Sequence, residues 1–175
     1  MWALRLLVLV GIALLCRLAH SGNPAFAFAL AWVPNYVFLG AAMMGVLRLP
    51  RILEPVHRME PVLYRWLGVG LIKWLVTTRA WLMLVGWQLP GGAASRHSVL
   101  ERIELMSKGA EVCHGASFVF ASSIAVLCLA FGSTVTGVWI LAFNVVLNAY
   151  PIMLQRSIRW RVRQARYRAG ERGSC

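Results

Sequence analysis

The sequence predicts an all-α fold: a polytopic membrane helical bundle of about four transmembrane helices, with further helices at the cytoplasmic membrane interface and both termini cytoplasmic. Three observations carry this expectation. Of 175 residues, 59% are hydrophobic and 14% charged, and the mean hydropathy is +0.67, which describes one membrane domain rather than a soluble one. Apolar runs recur at the length of about 20 residues that crosses the hydrocarbon core. The cations are unevenly shared among the connecting segments, as the positive-inside rule requires.

The first run covers 2–19. Its opening, MWALRLLVLVGIALLCRLAH, also has the early Arg and apolar stretch of a signal peptide, but no small-x-small cleavage site follows. The second run, 24–47, contains Pro34, which a membrane helix tolerates where neighbours satisfy the freed carbonyl. The third and fourth runs, 112–131 and 134–154, are separated by Gly132-Ser133, a link that permits only an antiparallel hairpin. The links 20–23 and 132–133 hold no Lys or Arg, whereas 48–111 holds nine and 155–175 seven, so both termini are placed on the cytoplasmic side. Arg17 is the exception, and it can snorkel to the outer interface.

The region 48–98 is not an ordinary hydrophilic loop. LYRWLGVGLIKWLVTTRAWLMLVGWQLP interleaves Trp and Leu with isolated cations, which predicts segments lying on or dipping into the cytoplasmic interface. A full pair of crossings would bring Lys73 and Arg79 to costly depths. LPGG at 89–92 ends this region, and Ser98 with Glu101 forms an S-x-x-E capping box, predicting a helix from near Val99 to about Phe131.

On that helix Glu104, Lys108 and Glu111 fall within about 60° of arc, with His114 about 60° further round. Glu104 and Lys108 read as a solvated face. Glu111 and His114 stand at the first turns of the apolar run, where an ionisable group is expensive unless paired or used. On the return helix Asn144, Asn148, Pro151, Gln155 and Arg159 lie within about 80° of one another. The bland reading of the amides is that they bond helices together, as polar residues do in membrane bundles. Counting from the hairpin turn puts His114 level with Pro151, and Glu111 level with Leu154 and Gln155, so the two polar stripes are expected to meet at the cytoplasmic edge. Pro151 removes a helical hydrogen bond there.

Missing residues exclude several chemistries. The chain has six acidic residues, all Glu, so H-x4-D and Ser-His-Asp sites cannot be built, although Glu can replace Asp in the latter. Cys113 adjoins His114, but neighbouring helical residues point about 100° apart, which argues against a thiolate nucleophile activated by that ring. Cys16 and Cys128 read as small core residues, and the four scattered Cys form no disulfide framework or C-x-x-C pattern. Glu111-x-x-His114 is half of a carboxylate metal motif without a second half, so no metal is expected. The basic tail 155–175, just inside a membrane helix, reads as a contact for anionic lipid headgroups of the bilayer rather than for nucleic acid.

AEVCH at 110–114 and NAYPIMLQRSIRWR at 148–161 resemble the two C-terminal motifs of the bacterial glycosyl-4,4'-diaponeurosporenoate acyltransferase family. MEPVLYRWLGVGLIKW at 59–74 is similar to a further segment of that family, with a Glu, an aromatic, basic residues and a Lys-Trp pair. The chain departs from the pattern at Lys108-Gly109 and at Ser157-Ile158, and carries an apolar insertion around 75–88. The resemblance implies transfer of a fatty acyl group to a sugar hydroxyl of a glycosylated carotenoid acid, at the bacterial cytoplasmic (inner) membrane. Glu111, His114, Asn148, Gln155, Arg156 and Arg159 match the motifs, and Lys73 with Trp74 matches more loosely.

Acyl transfer needs a base for the acceptor hydroxyl, donors for the tetrahedral oxyanion and a site for the acyl carrier. His114 is the candidate base, with Glu111 to orient it. Asn148 and Gln155 are candidates to polarise the carbonyl or grip the acceptor, with Asn144 on the same stripe. Arg156, Arg159 and Arg161 are candidates for the phosphates of acyl-CoA or an acyl carrier protein, the expected donor substrates, with no bound cofactor. The competing class is a non-catalytic lipid-binding or assembly subunit in which these polar groups only knit the bundle together.

Overall fold

The computed structural model describes residues 17–48, 50, 55–57, 59–70 and 96–168. Among them every regular element is helical: α1 (Pro24–Trp32), α2 (Pro34–Met43), α3 (Glu60–Trp66), α4 (Arg96–Ala130), α5 (Thr134–Asn144), a π-helical segment (Val145–Ala149) and α6 (Tyr150–Arg168). Among the described residues three helices are long and apolar enough to cross a membrane, Pro24–Met43, Ser98–Ala130 and Thr134–Arg168. They take up the second, third and fourth apolar runs. The first run, 2–19, lies outside the described residues except for its last three, as do Cys16, Lys73, Trp74, most of 48–98 and everything beyond 168.

The helix expected from near Val99 already includes Arg96, so Ser98 and Glu101 sit inside it rather than capping it. The return helix runs past the end of the apolar run at 154 and on to Arg168. Residues 155–168 hold no Gly or Pro and are rich in Arg and Gln, good helix formers, so nothing local ends the helix where the apolar run ends.

By contacts the chain forms two compact units, Met1–Phe38 with His114–Ala149, and Leu39–Cys113 with Tyr150–Cys175. In the first, α1 packs on α5 and the π segment. The Asn23 side chain caps α1 by accepting from the Ala25 N–H at 2.9 Å, with Pro24 preorganising the first turn. Pro34 interrupts the helix after Trp32, and the Asn35 amide donates to the carbonyls of Ala31 and Trp32 at the break, both at 3.2 Å. The core is Ala27, Ala121, Ala125, Cys128 and Ile140, flanked by Leu30, Ile124 and Phe143. Small residues let helix backbones approach closely, which is how membrane helices gain packing without a hydrophobic driving force between them.

The α4–α5 turn closes on Gly132, whose φ of +81° is the left-handed conformation that glycine adopts without a Cβ clash. The Ser133 N–H reaches back to the Cys128 carbonyl at 2.8 Å, satisfying an end-of-helix acceptor. Beyond the turn, Gly137 has room for hydrogen only. A Cβ there would stand 2.9 Å from Leu129 Cγ and 3.1 Å from the Ala125 carbonyl oxygen. Gly137→Val is therefore expected to push α5 off α4 and cost about 1–3 kcal/mol of stability. A lowered melting temperature in detergent, against an unchanged one for a substitution at open Gly40, checks this.

In the second unit α3 packs on α6. Tyr64, Val69 and Leu154 form its core, with Tyr150, Met153 and Ile158 against them. The Ser107 hydroxyl donates to the Gln155 backbone carbonyl at 2.9 Å, tying the first half of α4 to α6.

Candidate functional site

Among the described residues each unit brings buried polar side chains together, and the sequence-predicted residues divide between the two groups.

The cluster of the first unit is an imidazole held by carboxamides. Asn144 closes α5 and Asn148 lies in the π segment, and both are buried. Asn144 Nδ2 donates to the Phe118 carbonyl at 3.0 Å and to Ser122 Oγ at 2.9 Å. Asn148 Nδ2 donates to Asn144 Oδ1 at 2.7 Å and to the Ala31 carbonyl at 3.1 Å, which the break at Pro34 leaves open to side chains. Asn148 Oδ1 lies 3.2 Å from Nδ1 of His114, which is half-buried and also makes a backbone hydrogen bond with Leu147. Pro151 has no N–H to offer the Leu147 carbonyl four residues before it. The π segment, a rarity that concentrates at functional sites, ends two residues before that proline.

The cluster of the second unit is ionic. Glu111 is buried, and its oxygens accept from Arg156 Nη1 at 2.8 Å and from Arg159 Nη2. Arg159 is fully buried. Arg156 forks onto a second carboxylate, Glu60, through Nε at 2.6 Å and Nη2 at 2.9 Å, and reaches the Pro55 carbonyl at 2.9 Å. Two guanidiniums and two carboxylates thus join α3, α4 and α6 with no net charge, the condition under which such groups tolerate burial. Tyr64 donates to Glu60 Oε2 at 2.7 Å, and the His57 N–H to Glu60 Oε1 at 2.9 Å.

Glu60 therefore ionises at about 2 rather than 4.5, chiefly because the Arg156 guanidinium bonds its charged form, against the opposing effect of burial. The Tyr64 phenol is pushed up to about 12, first by burial and then by its bond to Glu60. Since Glu60 is more acidic folded than unfolded, its contribution is complete above the unfolded value of 4.5 and is lost as pH falls from there towards 2. The melting temperature in detergent is expected to drop between pH 6 and pH 3, and to drop less in Glu60→Gln.

Several predicted residues thus meet partners the sequence did not name. Glu111, expected to orient His114, is held by two arginines, and the side chain on the ring is Asn148. Arg156 and Arg159, expected to hold donor phosphates, are bonded to carboxylates. Gln155 is buried, and its Oε1 has no hydrogen-bond partner among the described residues. Arg161 is exposed on α6. Lys73 and Trp74 fall outside the described residues. Cys113 is buried. No three His, Cys, Asp or Glu side chains come together as a metal-binding group among the described residues.

Glu60, Tyr64, Ser107 and Ser122 were missed as partners. Glu60 and Tyr64 lie in the 59–74 motif, whose carboxylate was the available signal. Ser107 and Ser122 carry no pattern that separates them from any helical serine.

No curated protein and no solved structure matches the chain. A family model described as glycosyl-4,4'-diaponeurosporenoate acyltransferase matches residues 50–168, a stretch that includes all three sequence motifs and both ends of every ion pair above.

Proposed function

Because the chain belongs to the glycosyl-4,4'-diaponeurosporenoate acyltransferase family, it is an acyltransferase, and we propose that it esterifies a hydroxyl of a glycosylated carotenoid or related glycolipid. The donor in this reading is an acyl thioester, acyl-CoA or acyl carrier protein, met at the cytoplasmic face of a bacterial inner membrane. The family match carries the reading, because it spans both C-terminal motifs. The charge asymmetry of the links and the three long apolar helices support the membrane setting.

His114 acts as the general base. It takes the proton of the acceptor hydroxyl as that oxygen attacks the thioester carbonyl, and the tetrahedral intermediate collapses with cleavage of the C–S bond. The imidazolium then returns the proton to the departing thiolate, so an ester and a free thiol leave and the ring is regenerated. With Arg156 and Arg159 bonded to carboxylates, donor phosphates and anionic headgroups fall to the exposed Arg161 and Arg168 on α6. Nucleic acid has no part in this reading.

Purified chain in lipid nanodiscs, supplied with labelled acyl-CoA and a glycosylated carotenoid acid, is expected to form labelled ester and release thiol in equal amounts. Thiol release that does not depend on the acceptor, with no ester formed, would contradict the proposal.

A further inference from the structure

We propose that Asn148, backed by Asn144, is a positioning residue that fixes the His114 tautomer, with the proton on Nδ1 and the basic lone pair on Nε2. This rests on His114 being the base, and goes beyond it by naming the atom that takes the proton and what holds it ready.

Backbone carbonyls only accept, and they fix which way each amide points. The Phe118 carbonyl requires a donor, so the end of the Asn144 amide 3.0 Å from it is nitrogen and its other end is oxygen. The Ala31 carbonyl does the same for Asn148 at 3.1 Å. Asn144 Oδ1 then accepts from Asn148 Nδ2, and every N–H of both amides has a partner: Phe118 and Ser122 for one, Ala31 and Asn144 for the other. Neither amide can flip without setting N–H groups against N–H groups or oxygen against oxygen. Asn148 Oδ1 therefore faces Nδ1 of His114 as an acceptor only, and Nδ1 must carry a hydrogen.

A neutral imidazole carries one N–H, so Nε2 is bare. Unconstrained imidazole side chains populate both tautomers, and a base whose proton sits on the wrong nitrogen is inactive. The amide ladder removes that choice before substrate arrives. It also argues against the competing role: Asn148 is fully buried, Asn144 is 1% exposed, and every N–H of both amides is already bonded.

Nitrogen-15 NMR of histidine-labelled protein in nanodiscs reads the tautomer directly. Four His are present, and the difference from His114→Gln assigns the relevant pair of resonances. The wild-type protein is expected to show a protonated Nδ1 and an unprotonated Nε2. Asn148→Leu is expected to return the ring to a mixture and to lower kcat about 10²-fold with KM little changed.

A wild-type spectrum with the proton on Nε2 overturns the proposal, as does an Asn148→Leu enzyme whose KM rises while kcat holds. Should the variants fail to fold, the wild-type spectrum alone decides. Because the spectrum does not depend on turnover, an active His114→Gln enzyme would sink the base assignment while leaving the tautomer reading to be judged separately.

Discussion

His114→Gln is expected to lower the rate of acyl transfer about 10²–10⁴-fold, the range that a general base contributes, while the protein continues to accumulate in the membrane. The two halves of this result follow from different atoms. A Gln side chain carries an amide that can donate to Asn148 Oδ1, so the ladder of Asn148, Asn144 and Ser122 keeps its terminal partner and the packing of α1 against α5 is undisturbed. An amide has no basic lone pair at neutral pH, so the acceptor hydroxyl keeps its proton and attack on the thioester slows. Initial rates per mole of protein, with membrane levels measured in parallel, check both halves. A variant that retains full activity contradicts the base assignment.

The second large effect concerns stability. Glu111→Leu is expected to destabilise the protein by about 3–5 kcal/mol, because it takes a carboxylate from the fully buried Arg159 guanidinium in a place water does not reach. Arg156 suffers less, since the bidentate fork to Glu60 remains. Arg159→Met is expected to cost less, because Glu111 keeps its bond to Arg156. The double variant Glu111→Leu with Arg159→Met should be more stable than either single one, because whole pairs can often be exchanged for apolar side chains at little cost. Thermal unfolding in detergent of the four proteins tests this, and a double variant no better than the worse single one would show that the two residues are not coupled.

Helix class and the meeting of the two polar stripes were legible because both depend on periodicity and on a short turn. Gly132-Ser133 leaves no freedom but an antiparallel return, and counting from it puts His114 level with Pro151 and Glu111 level with Leu154 and Gln155. The observed bonds join the same stretches to within about a turn: His114 to Asn148, Ser107 to Gln155, and Glu111 to Arg156 and Arg159.

Rotation about each helix axis was not legible, and it decides partners. A turn of some tens of degrees separates a Glu111 that faces an imidazole from one that faces two arginines. The same limit hid the division of labour along α6, where the sequence offers a run of similar cations. Arg156, Arg159 and Arg166 recur at helical spacing and all meet carboxylates, Arg166 through Glu104 at 2.8 Å, while Arg161 and Arg168 are exposed. The π segment left no mark in the sequence except the proline two residues past its end, because its extra residue per turn is imposed by packing rather than by propensity.

The most direct test of acyl transfer through His114 is mass spectrometry of lipids from cells that contain the chain, lack it, or carry only His114→Gln. The expected result is one lipid species heavier by a fatty acyl group that is present with the wild-type chain, absent in the other two, and replaced there by its free hydroxyl precursor. Identical lipid profiles in all three, or an acylated species that persists with His114→Gln, would contradict it.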